Sequence, residues 1–165
     1  MGVSTNAILF YGYCWDKEIE LFPCDPDGDF PEWDRIILRK RNVPDPWEAF
    51  PSEEFRTLDW RERRQKGDAW MKEHEVELNA WTEAKKFVRE EFGCEIGSHC
   101  SGGCSMPYVF VSEVVARRGY PLSVTPATLA IDPVWHSLLD RFLAELGIDR
   151  PQEKPGWWLA SYWSE

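Results

Sequence analysis

At 165 residues, with 43% apolar content and ten tryptophans, the chain is long enough for one domain with a real core and short for two. Its net charge of −10 disfavours direct binding of nucleic acid, whose phosphates need a basic footprint. Nothing approaches the roughly 20 apolar residues of a membrane span, and Ala7–Tyr11 is too short, and lacks the basic start, for a secretory signal. Five cysteines, an odd number, argue for free thiols in a reducing cytoplasm.

In chain order, Ala7–Trp15 is predicted to be a strand with both faces apolar. Ala7, Leu9, Tyr11 and Tyr13 alternate with Ile8, Phe10 and Cys14, so the strand belongs in the middle of a sheet or under helices. Glu18–Phe22 reads as a short partner strand, 23–31 as a turn-rich loop, and Trp33–Arg39 as another strand. The stretch from Asp16 to Asp34 holds eight acids and one base, Lys17, so it contributes −7 of the total −10. Its acids Asp25, Asp27, Asp29, Glu32 and Asp34 are the candidate binding surface, suited to a partner with a basic face. Asp25-Pro26-Asp27-Gly28-Asp29 starts like a calcium loop, but Phe30 stands where glycine is needed and Ile36 where the bidentate glutamate belongs.

Residues 45–92 read as a long helical region. Ser52-Glu53-Glu54 resembles a helix start, and Gly67-Asp68 reads as a break with a new N-cap. From there Trp70, His74, Leu78, Trp81, Ala84, Val88 and Phe92 step by three or four along one helix face, and Gly93 supplies the stop. The Arg61–Lys66 stretch is basic, but interleaved acids make it a solvated helix face.

The next segment, Gly93–Pro107, holds three of the five cysteines and one of the three histidines. His99, Cys100 and Cys104, joined by Cys94, are the candidate zinc ligands. Extended chain places Cys94 and Cys100 about 20 Å apart, too far for one ion. A two-residue turn at Gly102-Gly103 would pair Ser101 with Cys104 and set Cys100 and Cys104 on opposite faces. Cys100 is the candidate nucleophile. His99, its neighbour along a strand, faces the other way, so the base would be His74 or His136. The alternative is that these thiols act as small buried hydrophobes, Cys94 above all.

Glu95–His99, Tyr108–Val115 and Tyr120–Val124 are predicted strands. Asp132-Pro133 opens a helix through Trp135, Leu139, Phe142 and Leu146 that stops at Gly147. Trp157–Trp163 is a closing aromatic strand. The sum is a single α+β domain over 1–165, with a mixed or antiparallel sheet of about five to six strands packed by two main helices. With no Walker loop, dinucleotide fingerprint, HExxH or nucleophile elbow in the sequence, no cofactor is expected.

Three stretches carry a resemblance: Gly2–Tyr13, then His99-Cys100-Ser101 with Met106-Pro107-Tyr108, and Trp157–Trp163. Together they resemble small proteins encoded by tailed phages and prophages. The resemblance implies an accessory protein acting in a bacterial host cytoplasm by binding and blocking host machinery, as inhibitors of anti-CRISPR type do. The acidic segment and the tryptophan surplus fit that mode, since carboxylates steer towards basic grooves and buried aromatics serve as hot spots. A non-enzymatic inhibitor of a host defence complex is therefore the leading expectation. The rivals are a cysteine-dependent enzyme centred on Cys100 and a zinc-stabilised interaction domain.

Overall fold

A computed structural model describes the backbone of residues 4–15, 32–101, 104–117 and 119–164, and the side chains of 7–15, 32–98, 106–117 and 119–161. In chain order the elements are β1 (Ser4–Cys14), α1 (Trp33–Lys40), a 3-10 turn (Pro46–Ala49), α2 (Ser52–Arg56), α3 (Trp60–Glu73), α4 (Glu75–Phe92), β2 (Glu95–Ser101), β3 (Cys104–Ala116), α5 (Trp135–Leu146) and β4 (Gly156–Ser164). The α+β class is as expected. The chain forms two compact units: a barrel unit of residues 1–33 and 92–165, and a helical unit of residues 34–91.

In the barrel unit the strands close in the order β1-β3-β2-β4. β1 lies antiparallel between β3 and β4, β2 and β3 form an antiparallel hairpin, and one parallel pair, Cys100 with Tyr162, closes the ring. The expected alternation of β1 holds on both faces. Tyr11 and Tyr13 pack on the α5 side, while Ile8, Phe10 and Cys14 join Tyr108 in a second cluster flanked by Phe110, Val115, Trp158 and Ala160. Phe10, Tyr11 and Tyr13 are each at most 1% exposed, and burying a ring of that size stabilises by about 2–3 kcal/mol. The register slips by one between Tyr11 and Gly12. A Cβ on Gly12 would lie 1.8 Å from the Val109 carbonyl oxygen, so the bulge requires glycine there.

The helix α5 buries Leu139, Phe142, Leu143 and Leu146, the i, i+3, i+4, i+7 stripe of a helix lying on a sheet. It ends as expected at Gly147, in the left-handed region at φ 77°. There the Ile148 N–H bonds the Leu143 carbonyl and the Gly147 N–H the Ala144 carbonyl, the pattern of a Schellman stop. Its start differs from the expected Asp132-Pro133: α5 begins at Trp135 with Val134 as N-cap, and the Asp132 carboxylate, two residues before that cap, accepts from the Val134 N–H at 2.9 Å.

In the helical unit, two expectations need correcting. Trp33–Arg39 was expected as a strand and is helix α1. Its buried residues Trp33, Asp34, Ile37 and Leu38 recur with helical spacing, whereas Arg39 and Lys40 face water. Helix α3 runs through Gly67-Asp68 without a break, because it is capped earlier: Asp59 accepts from the N–H groups of Arg61 and Glu62 at 2.8 and 2.9 Å. The interruption falls instead at His74, where α3 stops and α4 begins. Among the described residues there are four strands in place of the expected five to six. One expected strand is α1, Tyr120–Val124 forms none, and Glu18–Phe22 lies outside the described residues.

Candidate interaction surface

The acidic segment enters the described residues only at its end. Asp25, Asp27 and Asp29 lie outside them; Glu32 is exposed. Asp34 is not part of a surface. It is 0% exposed, its Oδ2 taking the Arg89 Nε–H at 2.7 Å with the Lys85 ammonium at 3.8 Å. A buried carboxylate is tolerated only when paired, and this one is spent on tying α1 to α4. Its Oδ1 has no hydrogen-bond partner among the described residues. Asp45 is buried likewise, held by Arg35 and, at 3.9 Å, by Arg39.

The cysteine cluster divides. Cys94 is 1% exposed, and burial pushes its thiol up to about 12, which keeps it protonated and inert near neutrality. Cys14 is also buried, its thiol donating to the Trp15 carbonyl at 3.7 Å. For His99, Cys100 and Cys104 the backbone alone is described: Ser101 pairs with Cys104 and Cys100 with Ser105. That is the register of the tight hairpin, in which Cys100 and Cys104 hold positions of opposite parity. An ion shared between them needs an open loop instead.

The candidate bases each have another partner. In the helical unit His74 stacks on Trp70 at 4.3 Å and bonds the Trp70 carbonyl through Nδ1 at 3.0 Å. Trp47, Phe50 and Phe55 extend that aromatic cluster. In the barrel unit His136 shares a hydrogen bond through Nε2 with the Tyr11 hydroxyl. One turn on, Asp140 accepts from the Tyr13 hydroxyl at 2.7 Å and meets Arg150 at 3.5 Å.

These last contacts form a seam with a simple geometric basis. Alternate residues of a strand rise about 6.6 Å, and residues four apart on a helix rise about 6 Å. Tyr11 and Tyr13 on β1 therefore match His136 and Asp140 on α5, fixing where the helix sits along the strand. Burial, and next the Asp140 carboxylate, raise the Tyr13 hydroxyl to about 12; burial also raises Tyr11. Neither phenol is poised to give up its proton at neutral pH, so the seam is an anchor for α5. Sequence reasoning singled out His136 but not Asp140 or the tyrosines that meet the two, although the even spacing of Tyr11 and Tyr13 on an all-apolar strand was an available signal.

Beside the seam, the barrel unit exposes apolar surface. Tyr11 touches Trp135 and Trp157, both at 5.4 Å between ring centres, and the Trp157 Nε1–H bonds the Leu129 carbonyl at 3.0 Å. Leu129, Ile131 and Val134, in the chain leading to α5, are 40–52% exposed, and Leu159 is 77% exposed. Leu159 shares its face with Trp157 two residues earlier, and Leu9 pairs directly with both Leu159 and Val114. Half-buried tryptophans beside exposed aliphatic side chains are the composition of a protein-binding surface.

Compared with protein-family models, curated proteins and solved structures, the chain matches none. Among the described residues no helix is long and apolar enough to cross a membrane.

Proposed function

We propose that the chain is a non-enzymatic binding protein that occupies a basic surface on a host protein or nucleoprotein, and that it blocks a host defence complex in the manner of an anti-CRISPR inhibitor. The observation that carries this reading is the segregation of charge. Residues 16–34 supply −7 of the −10; of the acids described there, Asp34 is paired with Arg89 and Glu32 is exposed. Carboxylates concentrated in one stretch of the sequence, against a nearly balanced remainder, favour a basic partner surface such as a phosphate-binding groove. Exposed aromatic and aliphatic groups in the barrel unit add the desolvating contacts that long-range charge alone does not provide.

The test is protection in cells. Expressed in a bacterium whose CRISPR system restricts a phage, the chain should raise plating of that phage, and the triple variant Asp25→Lys, Asp27→Lys, Asp29→Lys should lose about tenfold or more of the effect. Equal protection by the triple variant removes the acidic segment from the mechanism.

A further inference from the structure

Residues 120–124 carry a strand pattern yet form no strand in this structure. They follow a strand edge of matching length. β1 pairs with β3 as far as Ala116, whereas β2 leaves β3 at Phe110. From Ser112 onwards the outer edge of β3 therefore pairs with no strand among the described residues. Where that edge ends, the chain reverses. The Tyr120 N–H bonds the Arg117 carbonyl at 2.9 Å, and Gly119 between them takes φ 82°, as a four-residue turn requires of its third residue. Beyond it Tyr120, Leu122 and Val124 are 75%, 51% and 51% exposed. A second turn, in which Thr125 and Thr128 bond each other, marks the far end.

We infer that residues 120–125 are a strap that closes on the β3 edge as a further antiparallel strand, and that the structure holds it open. The turn fixes the closed register. Continuing from Arg117 and Tyr120, Ala116 meets Pro121, Val115 meets Leu122, Val114 meets Ser123 and Glu113 meets Val124. Backbone direction agrees with it. The Pro107 carbonyl takes the Trp15 N–H, so odd-numbered residues of β3 before the bulge turn their polar groups to β1. The register slip between Tyr11 and Gly12 swaps that parity. Glu113 and Val115 then point outwards, where Val124 and Leu122 meet them. Proline placement agrees too. Pro121 has no N–H, and it falls opposite Ala116, whose polar groups face β1, so no ladder bond is lost. The side chains agree as well. Tyr120, Leu122 and Val124 take the face of Val115, which pairs with Ile8 and packs on the Ile8, Phe10 and Tyr108 cluster. Closure adds three exposed apolar groups to that cluster. Closed, the strap caps β3; open, it leaves the edge to a partner's strand.

A disulfide trap in the full chain tests this. Val114→Cys with Ser123→Cys occupies a closed-state pair without hydrogen bonds, where Cα atoms approach to about 4.5 Å. The control, Val115→Cys with Ser123→Cys, sets the two thiols on opposite faces. Under mild oxidation the first pair should cross-link about tenfold faster or more than the control, the link being located by mass spectrometry of the joined peptide. Adding Leu122→Pro, at an exposed position, removes a ladder donor and should slow the first pair to the control rate. In the trapped protein the Leu122 and Val124 amides should exchange about tenfold more slowly or more than in an unstructured chain, with Ser123 unprotected. Equal cross-linking by the two pairs, or uniform exchange over 122–124 in the trapped form, overturns the inference. So does a 114–123 disulfide that joins two chains, since the strand then pairs with a second copy.

Discussion

Each unit is stabilised internally by different means. In the barrel unit, β1 buries both faces, and its polar groups are tyrosine hydroxyls paired with His136 and Asp140. In the helical unit the buried set includes two carboxylates, Asp34 and Asp45, each answered by arginine, and α3 buries no residue over its 14. The first unit depends on close packing and tolerates little change of shape. The second depends on caps, ion pairs and an aromatic cluster around Trp70, and leaves most of its helix surface to water. Packing is the more exacting constraint, because displaced backbone has no cheap alternative position.

Paired substitutions sharpen that contrast. The largest effect is expected for Gly12→Ala. With a Cβ placed 1.8 Å from the Val109 carbonyl oxygen, the β1–β3 ladder must open, and the loss should be about 4 kcal/mol or more. Urea unfolding measures it, and a loss of under about 1 kcal/mol would show that the bulge relaxes freely.

Next is Tyr13→Phe, which removes the hydrogen bond to Asp140. A cost of about 1–2 kcal/mol at neutral pH is expected, together with a change in alkaline behaviour. The folded-state value for Tyr13 is raised from 10.0 to about 12. Its contribution is thus fully present below pH 10 and lost as pH rises to about 12, because the unfolded chain gives up the proton first. The phenylalanine variant should lose less stability across that window, by about 2 kcal/mol. Cys94, raised from 9.0 to about 12, keeps its own share of the slope in both proteins. Identical slopes in the two proteins would contradict the buried-phenol account.

The smallest effect has the opposite sign. Gly67 lies inside α3 with the Phe55 ring 3.6 Å from where a Cβ would sit, an ordinary contact. Gly67→Ala should therefore stabilise by about 0.5–1 kcal/mol through helix propensity. Destabilisation there would place the helical unit under the same packing constraint as the barrel.

Much of the barrel unit was legible in the sequence because its signals are local. Alternation marked β1 and Gly147 closed α5, whereas the choice between a hairpin and an open loop at 100–107 stayed open until the pairing of Ser101 with Cys104 was seen. The misread elements depended on distant partners. Ile36-Ile37-Leu38 looks like strand until Asp34 is seen to be buried, and the arginine that permits its burial is 55 positions away. Likewise Tyr11 meets His136 across 125 positions; the even spacing of Tyr11 and Tyr13 marks their shared face but not this partner. Asp68 had the composition of a cap, but Asp59 had already started the helix.

The central claim is that the acidic segment directs this chain to a basic host surface and blocks it. The most direct measurement is phage plating on a CRISPR-restricted host expressing either the wild-type chain or the Asp25→Lys, Asp27→Lys, Asp29→Lys variant. The account predicts restored plating with the wild type and its loss with the variant. No restoration by the wild type, or equal restoration by both, would contradict it.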